Sequence, residues 1–179
     1  FLGMAPCGFF GALRELMGTE QALVGFYDDP GLVEDILDTV CELWMAFYPL
    51  VLQQVEVDFV FIWEDMCYCN GPLISPDQFR EQGLPYLKQR VAHIKEFNQG
   101  ILLHNCGDNR PLMDMFIEAG IQAYQSLQTN AGMEVGYLQE RFGHGMIFWG
   151  GIALENLIEG TPDDVRKNVR EVMAKGAQA

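Results

Sequence analysis

The chain has 179 residues, with 11 Lys+Arg against 25 Asp+Glu and a formal net charge of -14. An acidic surface of that size repels phosphate backbones, so nucleic acid is a poor partner. The chain is 49% hydrophobic and 20% charged, which is globular rather than disordered. No apolar run approaches the roughly 18 residues that a membrane-spanning helix needs.

The elements follow in chain order. Phe1 to Met4 reads as the tail of a strand. Asp29-Pro30 then opens a long periodic run of Leu32, Val33, Ile36, Leu37, Val40, Leu43 and Trp44, which predicts a helix. Pro49 falls inside that pattern and should end or kink it. Val57 to Trp63 is the clearest strand. Ser75-Pro76-Asp77-Gln78 supplies an N-cap, Pro at the first helical position and a capping-box Gln. Pro85 falls inside the helical pattern that follows and should end or kink it. Short apolar runs recur at Ile101–Leu103, Ile121–Tyr124 and Met146–Trp149, with helices expected over Pro111–Ala119 and Met133–Phe142. Thr161-Pro162-Asp163-Asp164 repeats the capping device before Val165, Val169 and Val172. Strand alternating with helix implies α/β architecture with a parallel sheet and right-handed crossovers.

In such folds the chemistry lies beyond the carboxyl ends of the strands. Glu64, Asp65, Met66 and Cys67 follow the first clear strand; His104, Asn105, Cys106 and Gly107 follow the next. Gln125 to Gln128 and Trp149-Gly150-Gly151 follow the later ones. His104 and Cys106, spaced i and i+2, point the same way in extended chain, and an imidazole with a thiolate suits zinc. A capping histidine beside a buried cysteine is the plain alternative. Glu64 and Asp65 are candidate general acid, base or ligand groups, against the alternative of a solvated acid pair. Cys67-Tyr68-Cys69 reads as loop, His93 as a packed or surface helix residue, and His144 as part of a turn. The five cysteines, an odd and irregularly spaced set, make a poor disulfide framework and fit a reducing cytoplasm.

Several motifs in order resemble the uroporphyrinogen decarboxylase superfamily. They are Trp63-Glu64-Asp65-Met66, Asn70-Gly71-Pro72-Leu73-Ile74-Ser75-Pro76, Leu84-Pro85-Tyr86, His104-Asn105-Cys106-Gly107, Glu118-Ala119-Gly120, Ala131-Gly132-Met133 and Phe148-Trp149-Gly150-Gly151-Ile152. The resemblance implies a (β/α)8 TIM barrel. Against the roughly 250 residues of a whole barrel, residues 1–179 would be a truncated piece of about five parallel strands, without the first and last. It also implies one of two activities. The pair His104 and Cys106 is similar to the zinc-dependent, corrinoid-linked methyltransferase branch. There zinc activates a substrate thiol that takes a methyl group from a corrinoid protein, or polarises the oxygen of a methoxylated donor. The second activity is decarboxylation of uroporphyrinogen III; Ala153 stands where that branch commonly has Asp. On this likeness Glu64 and Asp65 are expected to be catalytic and His104 and Cys106 to bind metal. Trp63, Met66, Gln128, Trp149 and Gly150 are expected to meet substrate, and a further zinc ligand would come from a later strand. An inactive fragment is the remaining alternative.

Overall fold

The computed structural model describes residues 3–4 and 6–177; Phe1 and Leu2 of the first expected strand lie outside them. The elements are β1 (Gly3–Met4), α1 (Phe9–Met17), α2 (Thr19–Asp28), α3 (Pro30–Leu52) and β2 (Phe59–Trp63). A small hairpin follows, β3 (Cys67–Tyr68) with β4 (Gly71–Pro72), then α4 (Pro76–Gln78), a π-helical turn over Phe79–Gly83, and α5 (Leu84–Lys95). The remainder is β5 (Gly100–His104), α6 (Met113–Ala119), β6 (Ala123–Gln125), α7 (Val135–Phe142), β7 (Ile147–Phe148), α8 (Leu154–Ile158) and α9 (Pro162–Gly176).

Five strands form one sheet in the order β1-β2-β5-β6-β7, every described pairing parallel. Strand and helix alternate as expected, and the open parallel sheet is consistent with a section of a barrel. Among the described residues no helix is long and apolar enough to cross a membrane.

The capping signals fold locally as N-caps, but the return bond expected of the capping-box Gln78 is not made, and its Oε1 is buried without a partner among the described residues. Asp29 accepts from the Leu32 amide at 3.1 Å, Ser75 from Gln78 at 3.1 Å, and Thr161 with Asp164 closes a full capping box. Pro49 does not stop α3, which runs on to Leu52. Its missing N–H would have bonded the Met45 carbonyl one turn earlier. The His93 ring nitrogen Nε2 takes that carbonyl instead, at 3.1 Å, while its Nδ1 faces Glu96 at 3.2 Å. Pro85 does not break the helical run, which continues from Pro76 to Lys95; the π turn over Phe79–Gly83 leads directly into α5, with Pro85 in its first turn.

Alternation along β2 decides what faces what. Val60 and Ile62 are buried against the helices, with Ile101 and Leu103 of β5 and Tyr124 of β6. Through that layer Phe79 meets Phe116 edge to face, and Phe116 stacks on Tyr124. The opposite face of the sheet carries Phe59, Phe61 and Trp63, and toward β7 it is open: Ile147 is 69% exposed and Trp149 51%. Phe116→Ala empties the centre of the helix layer, where Phe116 is fully buried. It is expected to cost about 3–5 kcal/mol, read as a lowered urea midpoint with an unchanged slope.

Candidate metal centre

The register brings the site together. Trp63 of β2 pairs with His104 of β5, and His104 with Gln125 of β6, so the three share one row near the carboxyl ends of their strands. One residue past Trp63 the adjacent carboxylates part company.

Glu64 turns inward. It is 1% exposed, and its carboxylate accepts from the amides of Phe9, Phe10 and Gly11 at 3.0, 2.8 and 3.4 Å. Those are the orphan donors at the start of α1, where a negative charge is also favoured by the helix dipole. Gly8 leaves the space: a Cβ there would overlap the Glu64 carboxyl group. Burial nonetheless raises its pKa to about 7, against the opposing pull of Arg90 and the three amides. Glu64 was expected to be catalytic; in the structure its oxygens are bonded to the amides at the start of α1.

Asp65 turns the other way. Its φ is 50°, in the left-handed region that non-glycine residues enter at a cost of about 1–2 kcal/mol. Two bonds hold it there. The Cys106 amide donates to Asp65 Oδ1 at 2.9 Å, and Arg14 Nη1 donates to the Asp65 carbonyl at 2.8 Å. Asp65 Oδ1 then stands 3.3 Å from His104 Nε2, and Cys106 Sγ lies 3.5 Å from the same nitrogen. One ligand atom each from Asp65, His104 and Cys106 falls within 4.8 Å of the others. The donor set, one carboxylate, one imidazole and one thiol, fits zinc.

The supporting shell fixes which atom of each residue faces the centre. Gln125 Oε1 accepts from His104 Nδ1, so in the neutral ring Nε2 carries the lone pair that a metal needs. Burial disfavours the charged imidazole, but hydrogen bonds to Asp65, Cys106 and Gln125 outweigh it and push His104 up to about 10. Burial would likewise raise Asp65, yet the bonds from His104 and Cys106 hold it below the ordinary carboxylate range.

The turn that presents Cys106 is built on two buried asparagines. Asn105 Oδ1 accepts from the Met66 amide at 2.8 Å, and Asn109 Nδ2 donates to the Cys106 and Gly107 carbonyls at 2.9 and 3.1 Å. Gly107 has φ 84° and its amide donates to Gln128 Oε1 at 2.8 Å. Ser126 Oγ lies 3.4 Å from Cys106 Sγ. Cys67 is buried against Asn109, with its thiol pushed up chiefly by burial, so it serves the turn.

A cavity of about 610 Å³ opens beside the triad, with Arg14, Thr19, Asp65, Tyr68, Cys106 and Gln128 on its wall. Of the expected substrate contacts, Gln128 lies on that wall. Trp63 supports it from behind, its ring under the Arg14 guanidinium at 5.6 Å. Met66, also expected to meet substrate, is fully buried, and its amide donates to Asn105 Oδ1. Trp149 lines a separate apolar hollow with Phe59, Leu102 and Ile147. Gly150, with φ 133°, packs near the Leu127 backbone. Gln125 and Ser126 stand in a strand-end run that the sequence marks, though without an assigned role, and Asn109 was not singled out; it lies two residues past the His104–Gly107 motif.

Three comparisons bear on this geometry. A family model for uroporphyrinogen decarboxylase (URO-D) matches residues 4–179. Comparison with curated proteins gives no match. Among solved structures, the chain superposes on a methyltransferase from Methanosarcina mazei with a TM-score of 0.79 at 18% identity, over 97% of this chain and 50% of that one. At that identity the likeness speaks for the fold, and the chain spans half the length of that structure.

The Glu64 anchor makes a pH-dependent expectation. Its folded-state pKa is raised above the ordinary 4.5, so between pH 4.5 and about 7 the folded chain binds a proton that the unfolded chain releases. Stability from this group should fall as pH rises through that window, by up to about 3 kcal/mol, and then level off. Glu64→Gln should flatten the slope in urea titrations at a series of pH values. Gly8→Ala should destabilise at every pH by driving the carboxyl group off its amides.

Proposed function

The chain belongs to the uroporphyrinogen decarboxylase family, and on that premise we propose that it is part of a cytoplasmic, zinc-dependent, corrinoid-linked methyltransferase built on a (β/α)8 barrel. The observation that carries this reading is the convergence of Asp65, His104 and Cys106 at adjacent strand ends beside an open cavity. A porphyrinogen decarboxylase would have no use for a thiol and an imidazole turned toward one point.

Asp65, His104 and Cys106 would hold the zinc in this chain. Bound there, zinc supplies Lewis acidity, which lowers the pKa of a substrate thiol toward neutrality or polarises a methoxyl oxygen. The chain's own residues do the rest. Gln125 keeps His104 in one tautomer. The Cys106 amide and Arg14 keep Asp65 in its left-handed conformation. Asn105 and Asn109 fix the turn, so that Cys106 is aimed before any ligand arrives. A corrinoid protein is the expected partner, supplying or receiving the methyl group at the open side of the cavity. Preorganised ligands mean that little ordering is needed on binding.

The reading is tested by loading the metal-free chain with Co²⁺ and Zn²⁺. One equivalent is expected, with a sulfur-to-cobalt absorption band that disappears in Cys106→Ser. His104→Ala should abolish tight binding, and Gln125→Ala should weaken it about 10–100-fold, as loss of a partner to a ligating histidine does. Transfer from methylcobalamin to small thiols should follow zinc content. A chain that binds no metal, or that binds it equally well without His104 and Cys106, contradicts the proposal.

A further inference from the structure

We propose that Arg14 is a specificity-determining residue that selects a substrate bearing a carboxylate, gripping that carboxylate on the cavity wall. The proposal rests on the metal reading above only for which end of the substrate faces Cys106.

Arg14 is the one Lys or Arg among the described residues lining the cavity. In a chain of net charge -14, an anion needs such a local cation to approach. Charges more than about 8 Å away are largely screened at physiological salt, so the group on the wall decides. The neighbouring acid does not cancel it. The Asp65 carboxylate is turned toward His104, with Oδ1 3.3 Å from Nε2, and among the described residues no carboxylate forms an ion pair with Arg14.

The guanidinium is also held in place without being used up. Its Cζ lies over the Trp63 ring at 5.6 Å, Nη1 donates to the Asp65 carbonyl at 2.8 Å, and Nε donates to Thr19 Oγ1 at 3.3 Å. A guanidinium has five N–H donors. Two are spent, and the Nη2 pair has no described protein acceptor. A planar cation fixed in this way loses little rotamer freedom when it meets a carboxylate, whose two oxygens match its fork. The same contacts couple the two ends of the site. Arg14 grips the backbone of Asp65, so a substrate anchored on Arg14 is positioned relative to the metal-facing carboxylate. The volume of about 610 Å³ suits a small molecule.

The test uses paired probes on the zinc-loaded chain: 3-mercaptopropionate and its uncharged analogue 3-mercaptopropionamide, titrated calorimetrically. The carboxylate should bind about tenfold more tightly or better, the scale of a charge-assisted pair. Arg14→Ala should erase that preference, read as the ratio of the two affinities within the variant, and Arg14→Lys should retain part of it. Zinc content and circular dichroism of each variant separate lost selectivity from a lost metal or a lost fold. A second arm uses the metal-free chain, with propionate followed at the Arg14 Nε–Hε resonance by NMR. A saturable shift there supports the proposal even if zinc does not bind. Equal affinity of the two probes for the unaltered chain, or an equal loss of both in Arg14→Ala, overturns it. So does a propionate titration that leaves the Arg14 resonance unmoved.

Discussion

The site depends on the parallel register of β2 against β5. Pairing Trp63 with His104 sets the next residues of both strands side by side. Glu64 N–H then donates to the His104 carbonyl at 3.0 Å, and the Cys106 amide reaches Asp65. A slip of one residue would turn His104 to the helix layer and put Leu103 in its place, since strand side chains alternate. That layer is close-packed around Ile62, Leu103 and Phe116, so the alternative register would bury an imidazole without partners and expose apolar area. Ordinary hydrophobic burial thus specifies the position of the chemistry.

The same register divides the work of two adjacent acids. Glu64 is drawn into the core by the free amides at the start of α1, and Asp65 is left to face the cavity. The first arrangement makes the second possible, because α1 carries Arg14, and Arg14 holds the Asp65 carbonyl. A second buried charge stands behind this corner. Arg90 donates to the Cys7 carbonyl at 2.7 Å and to the Tyr48 hydroxyl at 2.9 Å, tying α5 to the loop ahead of α1 and to α3. Buried charges of this kind are expensive to leave alone, so each is placed where backbone dipoles or hydroxyls meet it.

Much of this was legible in the sequence where the determinants are local. The Pro-after-cap signals at Pro30, Pro76 and Pro162 fold as they read, because a cap needs only its own first turn. The strand–helix alternation and the gathering of polar residues at strand ends also followed from short-range patterns. The family resemblance agrees with the family match over residues 4–179. What sequence could not supply was pairing over distance. Glu64 meets amides 53 to 55 residues away, and nothing in Trp63-Glu64-Asp65 says which acid turns inward. Pro49 was expected to end or kink α3, but the carbonyl it orphans is taken by His93, 48 residues later. Met66 reads like a pocket residue by position, yet the buried Asn105 draws its amide, and its side chain, into the core.

The central claim is that Asp65, His104 and Cys106 form one metal site in which a thiolate and an imidazole act together. Zinc K-edge absorption on the zinc-loaded chain tests it most directly. The account expects a first shell containing one sulfur at about 2.3 Å together with nitrogen and oxygen at about 2.0–2.2 Å. The sulfur should disappear in Cys106→Ser. A shell of oxygen and nitrogen alone, unchanged by that substitution, would contradict it.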